Sequence, residues 1–344
     1  MNTVAANTKA IDLLNIGLIF ISLVIAFEIP FELFLFSYAV LGPLHYLTEI
    51  NWLKDKNYFV KERKWVWVFI LIAALITIPV VLKVPGFKTT NGDRLLGYIH
   101  KLGKEFFFSI FFITFLFSIS LVYLSKWHNI LVAFIASILL AVFIIKFKLF
   151  TLAFFGMFLP TILHVYLFTL LFMIYGTIKT KNFAGIIGCF FLLLCPLIIC
   201  AFPINMQNYQ VSEKVQTTFL KSDFQNISSY IAQLMGGLAP DGKFYLISAT
   251  GIKIQIFIAF CYTYHYLNWF SKTSIIRWNK NISKGKLALV LAVWCSALLL
   301  YWHDYKIGFA ALFTLSLIHV FFEFPLNVIS VQGIFKSLFS NNKT

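Results

Sequence analysis

Long apolar runs separated by short polar stretches make up almost the whole chain. A helix needs about 20 mainly apolar residues to cross a bilayer. Ten runs approach that length, at about 12–29, 32–50, 65–84, 105–124, 129–146, 149–176, 184–203, 247–270, 286–302 and 307–331. The pattern predicts an all-α, polytopic integral membrane bundle of about ten transmembrane helices, forming a single domain over residues 1–344. The first two runs meet at a tight Glu28-Ile-Pro-Phe-Glu32 junction, which implies a kinked or re-entrant pair. Only Lys146-Phe-Lys148 separates the fifth from the sixth. One longer extramembrane loop is expected at about 204–245, with an amphipathic stretch from Val215 to Leu234 and a turn region rich in Gly and Pro. It reads as a lid, an interfacial helix or ordinary connecting structure.

Composition strengthens the membrane assignment. Hydrophobic residues are 60% of the 344 and charged residues 12%, against about half and about a quarter in a soluble domain. The 41 phenylalanines fit either a lipid-facing surface or AT-rich coding. The apolar run near the N-terminus has no small-residue cleavage motif, so it is expected to be a retained helix. The expected location is the cell membrane, crossed many times; in a bacterium this is the inner membrane.

The net charge of +15 is concentrated in short loops, notably 54–64 and 271–285. With both termini cytoplasmic those loops fall inside, as the positive-inside rule requires. The equally basic loop at 85–104 then falls outside, against the rule. No basic patch is interleaved with aromatics, so no nucleic-acid partner is expected. The five cysteines form no CxxC pair and are expected to be buried, inert thiols.

Candidate chemistry centres on four of the seven histidines. His45, His164, His265 and His319 lie within four separate apolar runs. Ionisable side chains are costly in hydrocarbon and usually face the protein interior at a functional site. Imidazoles from several helices form a plausible ligand set for iron, copper or zinc. Under the alternating topology, His45 and His265 sit roughly 7 Å from the inner boundary, and His164 and His319 roughly 18 Å. A break near Gly156 and Pro160 would bring the two levels together. Glu49 and Glu323 follow His45 and His319 at i+4, on the same helix faces, where each could join the metal or orient an imidazole. Alternatively, each glutamate simply pairs with its histidine or with a basic residue at the interface.

Tyr46, Tyr166, Tyr262, Tyr264, Tyr266, Trp269 and Phe322 surround these positions. They would either line a slot for a long apolar substrate or pack the bundle. His100, His128 and His303 lie in loops or at helix ends and are not expected to be ligands.

Three segments resemble a known membrane family: Gly42-Pro-Leu-His45-Tyr-Leu-Thr-Glu49, Phe260-Cys-Tyr-Thr-Tyr-His265 and Leu317-Ile-His319-Val-Phe-Phe-Glu323. The family is the bacterial Brp/Blh group of carotenoid cleavage dioxygenases. Its first motif is similar to Gly-Leu-Pro-His-Gly with an Asp four residues past the His. A later helix leads from Phe-Cys-Phe into histidines, and its last carries a His followed by an acid at i+4. The resemblance implies an all-helical enzyme that binds one non-haem Fe(II) through histidines. Such an enzyme cleaves the central double bond of a carotenoid with dioxygen, giving two retinal molecules. By position, His45 and His265 match ligand segments, His319 matches the terminal motif, and His164 is the candidate for the remaining ligand. This chain departs from the pattern in having Tyr46 for glycine, Glu49 for Asp, and Trp269 where a second histidine would follow His265.

The leading expectation is therefore a metal-dependent oxygenase with Fe(II), dioxygen and a lipid-soluble substrate taken from the surrounding lipids. Membrane di-iron hydroxylases need about eight histidines in HxxxH and HxxHH clusters, which this chain lacks. The main alternative is an ion- or proton-coupled transporter using intramembrane His and Glu. A structural or assembly protein with packed histidines is a third reading.

Overall fold

The computed structural model describes residues 2–84, 89–149, 151–272 and 282–340, apart from the side chains of 2–7 and 340. Every regular element among them is helical. Nine of the helices, taken through their kinks, are long and apolar enough to cross a membrane. The protein is a multi-pass helical membrane bundle.

The elements follow the apolar runs closely. Helix α1 (Asn2–Glu28) ends at Ile29, whose φ of −137° leaves the helical region. Pro30 then opens α2 (Pro30–Phe36) where its missing N–H is not needed. The Glu28–Glu32 junction is thus a break of one residue between two spans. Helix α2 passes through a π-helical turn, Ser37–Leu41, into α3 (Gly42–Asp55). Then come α4 (Val66–Leu82), α5 (Thr90–Tyr123), α6 (Trp127–Lys146) and a π-helical segment, Phe154–Phe168, that continues as α7 (Thr169–Thr180). The remainder are α8 (Phe183–Ala201), α9 (Glu213–Lys221), α10 (Gln225–Leu234), α11 (Ala249–Ser271), α12 (Lys284–His303) and α13 (Tyr305–Ser340).

Two expectations differ from what is found. Most of the stretch read as the outer loop 85–104 is helix: α5 starts at Thr90, its first turn capped by the Thr89 hydroxyl, which accepts from the Gly92 N–H at 3.0 Å. Gly103, at φ 76°, breaks α5 where the polar part gives way to the apolar run. Residues 85–88, and 273–281 of the basic loop 271–285, lie outside the described residues. The second difference concerns 247–270, the eighth of the ten runs. It forms α11 but is not among the helices apolar enough to cross on their own. Gln255, Tyr262, Tyr264, His265 and Asn268 lower its apolarity, and all five are buried by protein. Their polar atoms therefore do not need to be solvated by hydrocarbon.

The chain divides into two compact units, residues 1–45 with 165–284 and residues 46–164 with 285–344. In the first, α11 is central and packs against α1, α2, the π turn, α8 and α10. A polar network fixes its C-terminal end. Asn268 donates to Asn15 Oδ1 of α1 at 2.8 Å, and Ser271 donates to the same oxygen at 3.0 Å. Lys272 donates to Asn268 Oδ1 at 2.8 Å. Asn182, which caps α8, donates to Asp12 of α1 at 2.7 Å. At the other end the amphipathic loop folds as α9 and α10, separated by a turn in which Asp223 has φ 60°. Phe219 of α9 packs edge-on to Phe31, and Phe224 edge-on to Phe34.

In the second unit, α13 packs against α4 and α5, and α5 against α6. Phe69, Phe117, Phe321 and Phe324 are fully buried, with edge-to-face and tilted contacts among them and their neighbours. Part of the phenylalanine content therefore fills the interior. Gly156 lets the π segment approach α5, since a Cβ there would lie 2.0 Å from Cδ1 of Phe108. By contrast α12 buries little beyond Ala297 and Tyr301.

Replacing Asn15 with Leu removes one acceptor from a buried and a half-buried donor. It is expected to cost on the order of 1–3 kcal/mol, read as a lower unfolding temperature in detergent. Asn226→Ala, at an exposed position of α10, is expected to leave that temperature unchanged.

Candidate metal centre

The histidines occur in two close pairs. In the first unit, the π turn before α3 sets where His45 emerges. Pro43 has no N–H, and the wider turn preceding it accommodates its ring. Ser37 of that turn hydrogen-bonds Thr263 of α11 at 2.8 Å, two residues before His265. His45 and His265 then face each other with Nε2 atoms 3.1 Å apart, both buried.

Thr169, the first residue of α7, fixes the second ring. Its hydroxyl donates to the Val165 carbonyl at 2.9 Å and lies 2.7 Å from His265 Nδ1. A carbonyl cannot donate, so the single hydroxyl proton lies toward Val165 and the oxygen accepts the Nδ1–H of His265. That tautomer leaves the Nε2 lone pair of His265 directed at His45.

The second unit repeats the arrangement with a carboxylate in place of the hydroxyl. His164, in the π segment with Pro160, and His319 of α13 have Nε2 atoms 3.1 Å apart. Glu323 Oε1 stands 3.6 Å from the other ring nitrogen of His164, Nδ1. The sequence placed Glu323 with His319, its i+4 neighbour; its carboxylate also approaches an imidazole from another helix, His164. The Glu49 and Glu323 carboxyls lie side by side, within hydrogen-bonding reach of each other. Both are buried, at 2% and 1% exposure.

Each pair offers buried imidazole nitrogens, 3.1 Å apart, that could hold a metal ion. The spacing fits coordination: nitrogens sharing one ion at bond lengths of about 2.0–2.1 Å lie about 2.9–3.4 Å apart. Imidazole-rich donor sets suit iron, zinc, copper or nickel. In many metal sites the second ring nitrogen of a ligating histidine is held by a carboxylate or other polar partner, which sets the tautomer. Thr169 does this for His265, while Glu323 stands 3.6 Å from the corresponding nitrogen of His164, beyond hydrogen-bond length.

Several residues chosen from sequence lie beside these pairs. The Tyr266 and Trp269 rings are 5.1 and 5.5 Å from His45. Tyr46 stacks on His319 at 4.3 Å, and Tyr262 is next to Tyr266 at 6.2 Å. Tyr264 is engaged elsewhere, donating to Met173 Sδ and accepting from Asn268. Tyr166 donates to the Leu192 carbonyl at 3.0 Å, and Phe322 packs on Tyr58. His100, His128 and His303 are exposed, as expected of non-ligands. Two of the five cysteines, Cys200 and Cys295, are exposed on helix faces rather than buried. Thr169 was missed, because a threonine in an apolar run carries no signal until its partner ring is placed.

The chain matches no family model, no curated protein and no solved structure.

Thr169→Val keeps the shape of the side chain but removes the acceptor for His265. It is expected to weaken metal binding roughly 10–100-fold, measured by metal titration of the purified protein, while Thr169→Ser stays close to the parent.

Proposed function

We propose that this protein is a membrane-embedded, histidine-ligated non-haem iron oxygenase acting on a long apolar, lipid-like substrate. The observation that carries the proposal is the buried histidine pairing, in which the Nε2 atoms of His45 and His265, and those of His164 and His319, already have coordination-like spacing. The histidines of these pairs would supply the ligands of the metal. The metal would supply the redox chemistry with dioxygen.

The chain's own residues do the rest. Thr169 holds the His265 imidazole in the tautomer that presents Nε2, and the Glu323 carboxyl stands beside the rear nitrogen of His164. Tyr266 and Trp269 cover the His45 ring and exclude water from it. A substrate dissolved in the bilayer would reach such a site without entering water, and the aromatic side chains suit an extended polyene. For a carotenoid the net change is cleavage of one C=C bond, with the two atoms of dioxygen becoming the carbonyl oxygens of two aldehydes. The motif resemblance around His45, His265 and His319 supports this substrate class and Fe(II) as the metal.

A second reading, ion- or proton-coupled transport, is favoured by one observation: the Glu49–Glu323 carboxyl pair buried within spanning helices.

Metal analysis of protein purified from membranes is expected to find about one iron per chain. His45→Ala and His319→Ala are expected to lose most of it while remaining monodisperse in detergent. A well-folded parent protein without metal would sink the oxygenase reading. Incubation with a carotenoid and dioxygen is expected to give retinal-type aldehydes by chromatography, whereas substrate-independent ion flux in liposomes would favour transport.

A further inference from the structure

On α13 the face of His319 and Glu323 runs on into polar residues that the proposed chemistry does not use. His319, Glu323, Asn327 and Ser330 follow one another at helical spacing, at 2%, 1%, 2% and 1% exposure. At about 100° per residue they fall within an arc of roughly 80°. Ser337, half-buried near the C-terminal end of the helix, continues the same face. The neighbouring positions Phe321, Phe322 and Phe324 are buried rings.

Within this stripe the polar atoms are incompletely satisfied by protein. Asn327 lies beside the Glu323 carboxyl, yet its amide nitrogen and carbonyl oxygen close no hydrogen bond of good geometry, and neither does the Ser330 hydroxyl. Three such atoms on one face of a membrane-spanning helix are costly, because hydrocarbon offers no partner. Buried polar groups of this kind are ordinarily completed by ordered water, which takes two to four polar partners. The spacing suits water. Glu323 to Asn327 is about 6 Å along the helix and Asn327 to Ser330 about 4.5 Å, and one bridging water spans roughly 5–6 Å.

We propose that the Asn327–Ser330 face of α13 lines a file of ordered water running from the Ser337 end of the helix to the Glu323 carboxyl. The amide and hydroxyl each offer a donor and an acceptor, so successive waters can bond to protein and to each other. Such a file gives the buried carboxyl pair a route to the aqueous phase through an otherwise apolar bundle. The inference does not depend on whether the histidines hold a metal.

Hydroxyl-radical footprinting of the full chain in lipid nanodiscs tests it, since radicals generated from bound water label adjacent side chains. Residues 319–330 are expected to be labelled well above the exposed residues among 287–300 of α12, despite being more buried. Asn327→Leu combined with Ser330→Ala is expected to lower that labelling at least fivefold, with Ser330→Ala alone giving a smaller decrease in the same direction. Wild-type labelling no higher than that of α12 overturns the proposal. So does labelling that is unchanged in the variants, even if they are more thermally stable. Neither arm reads a metal, so its outcome and that of the metal analysis are independent.

Discussion

Hydrocarbon cannot hydrogen-bond, and that constraint orders this structure. Each polar side chain within a spanning helix must find its partner inside the protein. The consequence is clearest in α11, a long helix that carries several polar side chains and is deeply enclosed. Gln255 is fully buried and donates to the Pro30 carbonyl, Thr263 pairs with Ser37, and Asn268 pairs with Asn15. Each bond reaches a different stretch of chain, so satisfying α11 also fixes α1, α2 and the π turn around it. The same bonds place His265 opposite His45.

The two histidine pairs show one solution built twice. In each, two Nε2 atoms converge at 3.1 Å while a polar group stands at a rear nitrogen. That group is a hydrogen-bonded threonine hydroxyl in one case and a glutamate at 3.6 Å in the other. Both pairs also have a π-helical segment and a proline close to one member, Pro43 before His45 and Pro160 before His164. A π turn shifts the residues after it around the helix axis. It can therefore aim a side chain that a regular helix would point elsewhere, at the cost of weaker backbone bonding. Such segments concentrate at functional sites for this reason.

Much of the fold was legible in the sequence. Apolar run length reports directly on the thickness of the bilayer, so the nine long apolar helices among the described residues, and most of their ends, follow from the apolar runs. The Glu28–Glu32 break was legible too, because proline excludes itself from a helix interior. The polar start of α5 was not, since its charged residues resembled a loop when read without the Thr89 cap. Nor was the character of α11, where length suggested a span and the polar residues showed their meaning only once their partners were in place.

For the candidate site, the sequence determined which residues would be buried and ionisable: His45, His164, His265, His319, Glu49 and Glu323 each interrupt an apolar run, and burial followed for all six. Tertiary structure alone decided who meets whom. Helical spacing puts Glu323 on the face of His319, but that face is shared with whatever other helices bring to it, and His164 is what Glu323 approaches. Thr169 becomes important for the same reason, through a ring 96 residues away in the chain. Local periodicity fixes the direction of a side chain relative to its own axis. The rotation and neighbours of that axis are set by the packing of many helices together, and no single stretch of sequence contains them.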